Sequence, residues 1–193
     1  MIRFASLSDA EAILAIYAQY IDTSITFEYE LPTLQAFRGR IRDISAVYPY
    51  LVREENGTIL GYAYAHRYRE RAAYQWGAEL SVYVDRNAHG RGIGAGLYTA
   101  VMELLTLQGV RTVYGIVTQP NEKSDRLHAA MGFTPAGIVR RAGFKNGKWH
   151  DVITYEKAIG TFHGAPQPLI AIRDVDPNAA ARILAPPGAK DPI

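Results

Sequence analysis

A strand-like run, Glu79-Leu80-Ser81-Val82-Tyr83-Val84, leads into a glycine-rich loop, Gly90-Arg91-Gly92-Ile93-Gly94, and then into a helical pattern carrying Leu97, Val101, Leu104 and Leu105. This juncture constrains the chain more than any other feature. Glycines at 90, 92, 94 and 96 let backbone N–H groups approach a ligand without interference from Cβ atoms. The helix that opens there adds its positive dipole end, so a phosphate or pyrophosphate is the expected occupant. Three readings compete. A plain strand-to-helix turn needs no ligand at all. A P-loop needs Gly-Lys-Ser/Thr, which is absent. A dinucleotide fingerprint can be forced as Gly90-x-Gly92-x-x-Ala95, but it wants an acid about 20 positions on, and Arg111–Thr118 holds none.

The remaining pattern alternates strands and helices. Ile2 to Phe4 reads as a short strand, and Ser8 or Asp9 as the cap of a helix carrying Ile13, Leu14, Ile16, Tyr17, Tyr20 and Ile21. Thr33 caps a second helix with Leu34, Phe37 and Ile41 on one face. Tyr50–Glu55 and Ile59–Tyr68 read as strands joined at Asn56-Gly57, a pair that tolerates the positive φ of a tight hairpin. Val113–Thr118 is a strand and Asn121–Met131 a helix ended by Gly132. Ile138–Phe144 and Trp149–Glu156 make a last hairpin around Asn146-Gly147. The order β-α-α-β-β-β-α-β-α-β-β predicts an α/β (α+β type) domain with a mixed, mostly antiparallel twisted sheet flanked by helices.

Composition sets bounds. The 193 residues suit one domain, residues 1–160, plus an extension, 161–193. From Gly160 onward lie six of the ten prolines, so helix or central strand is hard to sustain there. The extension reads as an extended tail with a short helix near Ala179–Leu184, and packing on the domain, packing on a partner subunit and disorder all stay open. A net charge of +2 argues against nucleic acid or membrane partners. The absence of cysteine removes disulfides and any cysteine nucleophile. The five histidines show no His-Glu-x-x-His spacing, so no metal site is expected, and no Gly-x-Ser-x-Gly elbow supports a hydrolase. No apolar leader or long apolar run stands out, and a cytoplasmic location is the default expectation.

The segment Val82-Tyr83-Val84, then Arg86 to Leu97 through Gly90-Arg91-Gly92-Ile93-Gly94-Ala95, resembles the acetyl-coenzyme A motif of the GNAT acetyltransferase superfamily, Gln/Arg-x-x-Gly-x-Gly/Ala. Here His89 stands where Gln or Arg is usual. Asn121, Ser124 and the run Leu127 to Phe133 resemble the second coenzyme A segment. Further runs match in order: Thr26-Phe27-Glu28, Tyr48 to Val52, Gly61 to Ala65, Arg69-x-Arg71-x-Ala73-Tyr74-x-Trp76, Glu79-x-Ser81-Val82-Tyr83-Val84 and Gly143-Phe144-Lys145-x-Gly147-x-Trp149-His150-Asp151. Together they resemble the phosphinothricin / methionine sulfoximine N-acetyltransferase family over residues 1–158.

The resemblance implies acetyl-coenzyme A as cosubstrate, a glutamate-like L-amino acid analogue such as phosphinothricin or methionine sulfoximine or sulfone as acceptor through its α-amine, a homodimer, and roles for particular residues. Glu79 falls where the family has its catalytic glutamate, and His128 where it has a histidine; base and acid cannot be divided between them from sequence. The implied coenzyme A contacts are Val82, Tyr83, Val84, His89, Gly90, Arg91, Gly92, Ile93, Gly94, Ala95, Asn121 and Ser124. The implied substrate contacts are Phe27, Glu28, Arg69, Arg71, Tyr74 and Lys145. Without the resemblance, Glu79 reads as an exposed strand glutamate, the arginines as a solvated turn and Phe27 as core. Acetylation of ordinary amino acids or a protein N-terminus, and a non-catalytic acyl-coenzyme A binding module, remain the alternatives.

Overall fold

The computed structural model describes residues 1–185. Seven strands form one sheet in the order β1-β2-β3-β4-β5-β7-β6. They are β1 (Ile2–Phe4), β2 (Tyr50–Glu55), β3 (Thr58–Arg67), β4 (Gly77–Val84), β5 (Thr112–Thr118), β6 (Thr134–Lys145) and β7 (Lys148–Ala158). Five helices flank it: α1 (Ala10–Ala18), α2 (Leu34–Ser45), α3 (Ile93–Gln108), α4 (Glu122–Ala130) and α5 (Pro177–Leu184). Only β4 and β5 pair in parallel; the other five pairings are antiparallel. The sheet is therefore mixed and mostly antiparallel, as the pattern predicts.

Strand alternation sends side chains to two cores. Tyr50, Val52 and Tyr62 pack with Ile13, Tyr17, Phe37 and Ile41 under α1 and α2. Leu51, Ala63, Ala65 and Leu80 pack with Leu97, Val101, Leu104 and Leu105 of α3. The apolar stripe of α3 is thus buried entirely against the sheet, and Gly109 ends the helix at φ 95°. The first hairpin turns at Asn56 and Gly57 and the last at Asn146 and Gly147, all four at positive φ.

The β4–β5 pairing stops at Leu80 opposite Gly115. Beyond it, Ser81–Val84 and Ile116–Thr118 diverge and leave a wedge in the middle of the sheet. The glycine loop and α3 stand at one mouth of this wedge.

Three readings are corrected. Neither Ser8 nor Asp9 caps α1 through its side chain: a 3-10 turn precedes the helix, and Asp9 turns back to the N–H of Ser6 at 2.7 Å and to Arg3. The strand expected from Ile138 starts at Thr134, because irregular pairing absorbs Pro135 and Gly137. The helix near Ala179–Leu184 begins at Pro177 with Asp176 as its cap, a helical start that tolerates proline because the first N–H needs no partner. Of the alternatives left open for the extension, packing on the domain holds over its described length. Ile170 N–H donates to Gln108, Ile172 N–H to Val47, and Ala180 is buried in the α3 core. The run from Pro186 to Pro192 lies outside the described residues.

Candidate active site

The glycine loop is built as a ligand seat. Gly90 and Gly92 sit at φ 78° and 74°, which disfavours any side chain, and a Cβ at either would touch nothing. Gly92 is the N-cap of α3 and has no side chain to satisfy the first N–H groups. A cleft of about 470 Å3 opens over this loop. Of the twelve residues implied as coenzyme A contacts, eleven line it: Val82, Tyr83, Val84, His89, Gly90, Gly92, Ile93, Gly94, Ala95, Asn121 and Ser124. The twelfth, Arg91, instead forms an ion pair with Glu55.

Each polar residue at this cleft has a local reason for its place. Asn121 caps α4 by accepting from Ser124 N–H at 3.2 Å. His89 does not reach into the cleft as a free arm: Nε2 lies 2.8 Å from the Tyr20 hydroxyl and 3.2 Å from the Val84 carbonyl, which braces the loop against β4. Lys123 Nζ lies 3.1 Å from His89 Nδ1. Lys123 and Arg126 add two cations to the lining that the sequence reading missed. Their helical spacing past the Asn121 cap was the available signal.

Glu79 lines a second cavity, about 430 Å3, on the opposite face of the sheet. On β3 the residues Tyr62, Tyr64 and His66 share this face; on β4 it is Glu79, Ser81 and Tyr83. The register places His66 beside Glu79 and Tyr64 beside Ser81. Tyr17 closes one wall, and burial pushes its hydroxyl up to about 12. Arg40 of α2 pairs with Glu28 at 2.7 Å, leaving the second Glu28 oxygen buried and without a partner.

The structure does not pair Glu79 with His128. The nearest ionisable partner of Glu79 is His66, with Nε2 at 3.5 Å from the carboxylate. Burial lowers the affinity of the His66 ring for a proton, but the Glu79 carboxylate and the Arg67 carbonyl outweigh it, so the ring titrates above its ordinary value. His66 and Arg40 were not singled out from sequence. For His66, period two along Tyr62-x-Tyr64-x-His66 was the signal; for Arg40 there was none beyond its helical spacing from Phe37.

His128 lines a narrow space of about 80 Å3 in the wedge between β4 and β5, together with Ser81, Val82, Tyr83, Asn121 and Ser124. The imidazole is 2 % exposed and stacks on Tyr155. Its Nδ1–H donates to the Ser124 carbonyl at 2.8 Å, so Nε2 carries a bare lone pair, buried and unpartnered. Desolvation holds its pKa below the ordinary histidine value against the opposing pull of the Ser124 carbonyl and Asp125. A Cβ on Gly115 would lie 2.1 Å from Nε2, so only glycine admits this ring.

The implied substrate residues divide. Phe27 and Glu28 line the Glu79 cavity. Arg69, Arg71 and Tyr74 do not. Arg69 stacks over Tyr68 and Tyr74 at 5.0 and 5.1 Å, Arg71 is exposed at the start of a 3-10 turn, and Tyr74 borders a different hollow. Lys145 is buried, and its Nζ donates to the carbonyls of Ile21 and Thr26, which clips the 21–26 loop to the last hairpin. Its three donors are largely spent on backbone.

The sequence pattern of the acetyltransferase (GNAT) domain matches residues 2–154. The chain belongs to the GNAT acetyltransferase family. A phosphinothricin N-acetyltransferase of Streptomyces viridochromogenes is 39% identical over 152 residues, covering 78% of this chain and 83% of that protein. An L-methionine sulfoximine/L-methionine sulfone acetyltransferase of Pseudomonas paraeruginosa is 31% identical over 168 residues, covering 86% and 98%. Among solved structures, a GNAT superfamily phosphinothricin acetyltransferase from Sinorhizobium meliloti in complex with AcCoA superposes with a TM-score of 0.83 at 30% identity, covering 92% of this chain and 96% of that one. This GNAT chain is therefore an acyltransferase.

Proposed function

We propose that this enzyme moves the acetyl group of acetyl-coenzyme A to the α-amine of a glutamate-like L-amino acid analogue. Phosphinothricin, methionine sulfoximine and methionine sulfone are the proposed acceptors, and the amine attacks directly in a ternary complex. One observation carries the reading. The glycine-loop cleft and the Glu79 cavity open from opposite faces, and Tyr83 of β4 lines both of them and the wedge between.

The pyrophosphate would rest on the uncapped N–H groups of Gly92 to Ala95, with Lys123 and Arg126 countering its charge. The thioester then lies along the open edge of β4 at Val82–Val84, where backbone N–H groups can polarise its carbonyl. In the cavity, Arg40 is the cation available to an acidic amino acid, and Phe27 and Glu28 belong to the same proposed recognition surface, whereas Arg69, Arg71 and Tyr74 stand outside it. Lys145 contributes by holding the 21–26 loop in place.

The chemistry needs an amine with a free lone pair. Glu79 takes one proton from the ammonium, and the amine attacks the thioester carbon. The tetrahedral adduct still carries a proton too many on nitrogen. The bare Nε2 of His128, neutral because it is buried, accepts that proton; the C–S bond breaks and the thiolate receives the proton from His128. The cycle closes when Glu79 releases its proton to solvent.

Residues 1–160 carry this chemistry in the proposal and 161–193 form the extension. A homodimer is supported by β6, an edge strand whose Ile138 and Val139 are about half exposed, as are Phe144 and Trp149 at the hairpin tip. No helix of the described residues is long and apolar enough to cross a membrane, and we place the enzyme in the cytoplasm. Thiol release from acetyl-coenzyme A tests the assignment: phosphinothricin, methionine sulfoximine or methionine sulfone should turn over faster than common amino acids or a peptide N-terminus. Faster turnover of the peptide, or no thiol release with any amine, would overturn it.

A further inference from the structure

A third hollow, about 270 Å3, lies away from both cavities, at the opposite end of the β4–β5 pair from the wedge. Its walls come from three segments: Tyr68, Tyr74 and Trp76 before β4, Tyr114 on β5, and Phe162 in the extension. The family pattern ends at residue 154, so Phe162 and its neighbours lie outside the matched domain. Gly164, at φ 69°, turns the extension there.

The walls are fixed before any ligand arrives. Tyr68 and Tyr114 stack face to face, with centroids 3.8 Å apart, and Tyr74 meets Tyr68 edge-on. The Trp76 indole N–H donates to the Gln167 carbonyl at 2.8 Å, tying the loop to the extension. Phe162, by contrast, is 67 % exposed, a large apolar ring standing at the rim and left largely uncovered by the described residues.

The charge in this hollow has one sign. Arg111 and His163 are the ionisable side chains that line it besides tyrosine, and no acid does. Arg111 is half-buried, its Nε is buried with no hydrogen-bond partner, and no carboxylate of the described residues pairs with it. A guanidinium that lines a hollow without a paired carboxylate is open to an incoming anion. A guanidinium in an aromatic-lined hollow suits a planar anion, which accepts its N–H groups in plane while its ring packs against the aromatic walls.

We propose that this hollow is a binding site for a small monocyclic aromatic carboxylate, with Arg111 receiving the carboxylate and Tyr68, Tyr114 and Phe162 enclosing the ring. The volume falls just below the range of pockets for drug-sized ligands, so one ring with one acidic group is the appropriate size. The amino-acid acceptor belongs in the Glu79 cavity, so the two sites are separable.

Trp76 supplies the test. The chain has two tryptophans, Trp76 and Trp149; Trp149 lies 61 % exposed at the far hairpin. In full-length protein carrying Trp149→Phe, Trp76 is the sole indole. Titration with benzoate should change its fluorescence saturably in the millimolar range or below, and cyclohexylmethanol, which lacks both charge and aromatic ring, should not. Arg111→Gln should weaken benzoate at least tenfold, and Phe162→Ala, at an exposed position that cannot compromise the fold, should weaken it about threefold or more. Coenzyme A affinity of each variant reports that the domain is intact. Saturable benzoate binding lost in both variants supports the site. No saturable change in the parent, or equal affinity in Phe162→Ala, overturns it. Failure here leaves the acetyl-transfer reading standing, because the thiol-release screen tests that separately.

Discussion

The two proposed reactant sites are made of different material. The glycine-loop cleft is mainly a backbone site: positive φ at Gly90 and Gly92, an uncapped helix start and the open edge of β4. The Glu79 cavity is a side-chain site, assembled from α1, the 26–28 loop, α2, β2, β3 and β4. The difference teaches what each tolerates. A backbone site changes when a residue cannot hold the conformation, whatever its chemistry. A side-chain site keeps its shape and loses a function when one functional group is removed.

Four variants press on that contrast. Glu79→Gln keeps the volume of the side chain and removes the base, so kcat should fall about 10²–10⁴-fold while calorimetry finds coenzyme A affinity unchanged. A comparable loss in both would merge the two sites. Gly92→Val forces a branched residue to φ 74°, a strain of about 1–2 kcal/mol, and should weaken coenzyme A roughly tenfold with the amino-acid KM untouched. Arg40→Met should do the reverse, raising the amino-acid KM about tenfold and leaving coenzyme A binding alone.

The smallest effect concerns His66. Its folded pKa is raised above the ordinary value, so its contribution to stability is fully present below about 6.5 and is lost as pH rises through the folded value. The Tm difference between the parent and His66→Gln should therefore be largest near pH 5 and close to zero near pH 9. A difference that grows toward alkaline pH would break the His66–Glu79 pairing.

The same contrast explains what could be read from sequence. The loop from Gly90 to Ala95 is contiguous and governed by local backbone rules, so its glycines announce the cleft directly. The caps at Thr33, Asn121 and Asp176, and the paired turns at Asn56-Gly57 and Asn146-Gly147, are local too. Lys145 shows the limit. Its sequence neighbours fit a substrate-contacting hairpin, yet its ammonium is taken by the carbonyls of Ile21 and Thr26, more than a hundred residues away. His66 depends on strand register, Arg40 on how α2 docks on the sheet, and the separation of Glu79 from His128 on the wedge that opens past Leu80. None of these is a property of a single segment. The packing of the extension was equally illegible, because proline content argues against regular structure and says nothing about contacts such as Ile172 to Val47.

The central claim is that acyl donor and amine approach from opposite faces and meet at the wedge beside Tyr83. A crystal structure of the Glu79→Gln enzyme holding acetyl-coenzyme A and methionine sulfone measures this directly. The pyrophosphate should sit on the N–H groups of Gly92 to Ala95 and the amine nitrogen about 3–3.5 Å from the thioester carbon, beside the residue replacing Glu79. Methionine sulfone bound outside that cavity, or a thioester that does not enter the wedge, would contradict it.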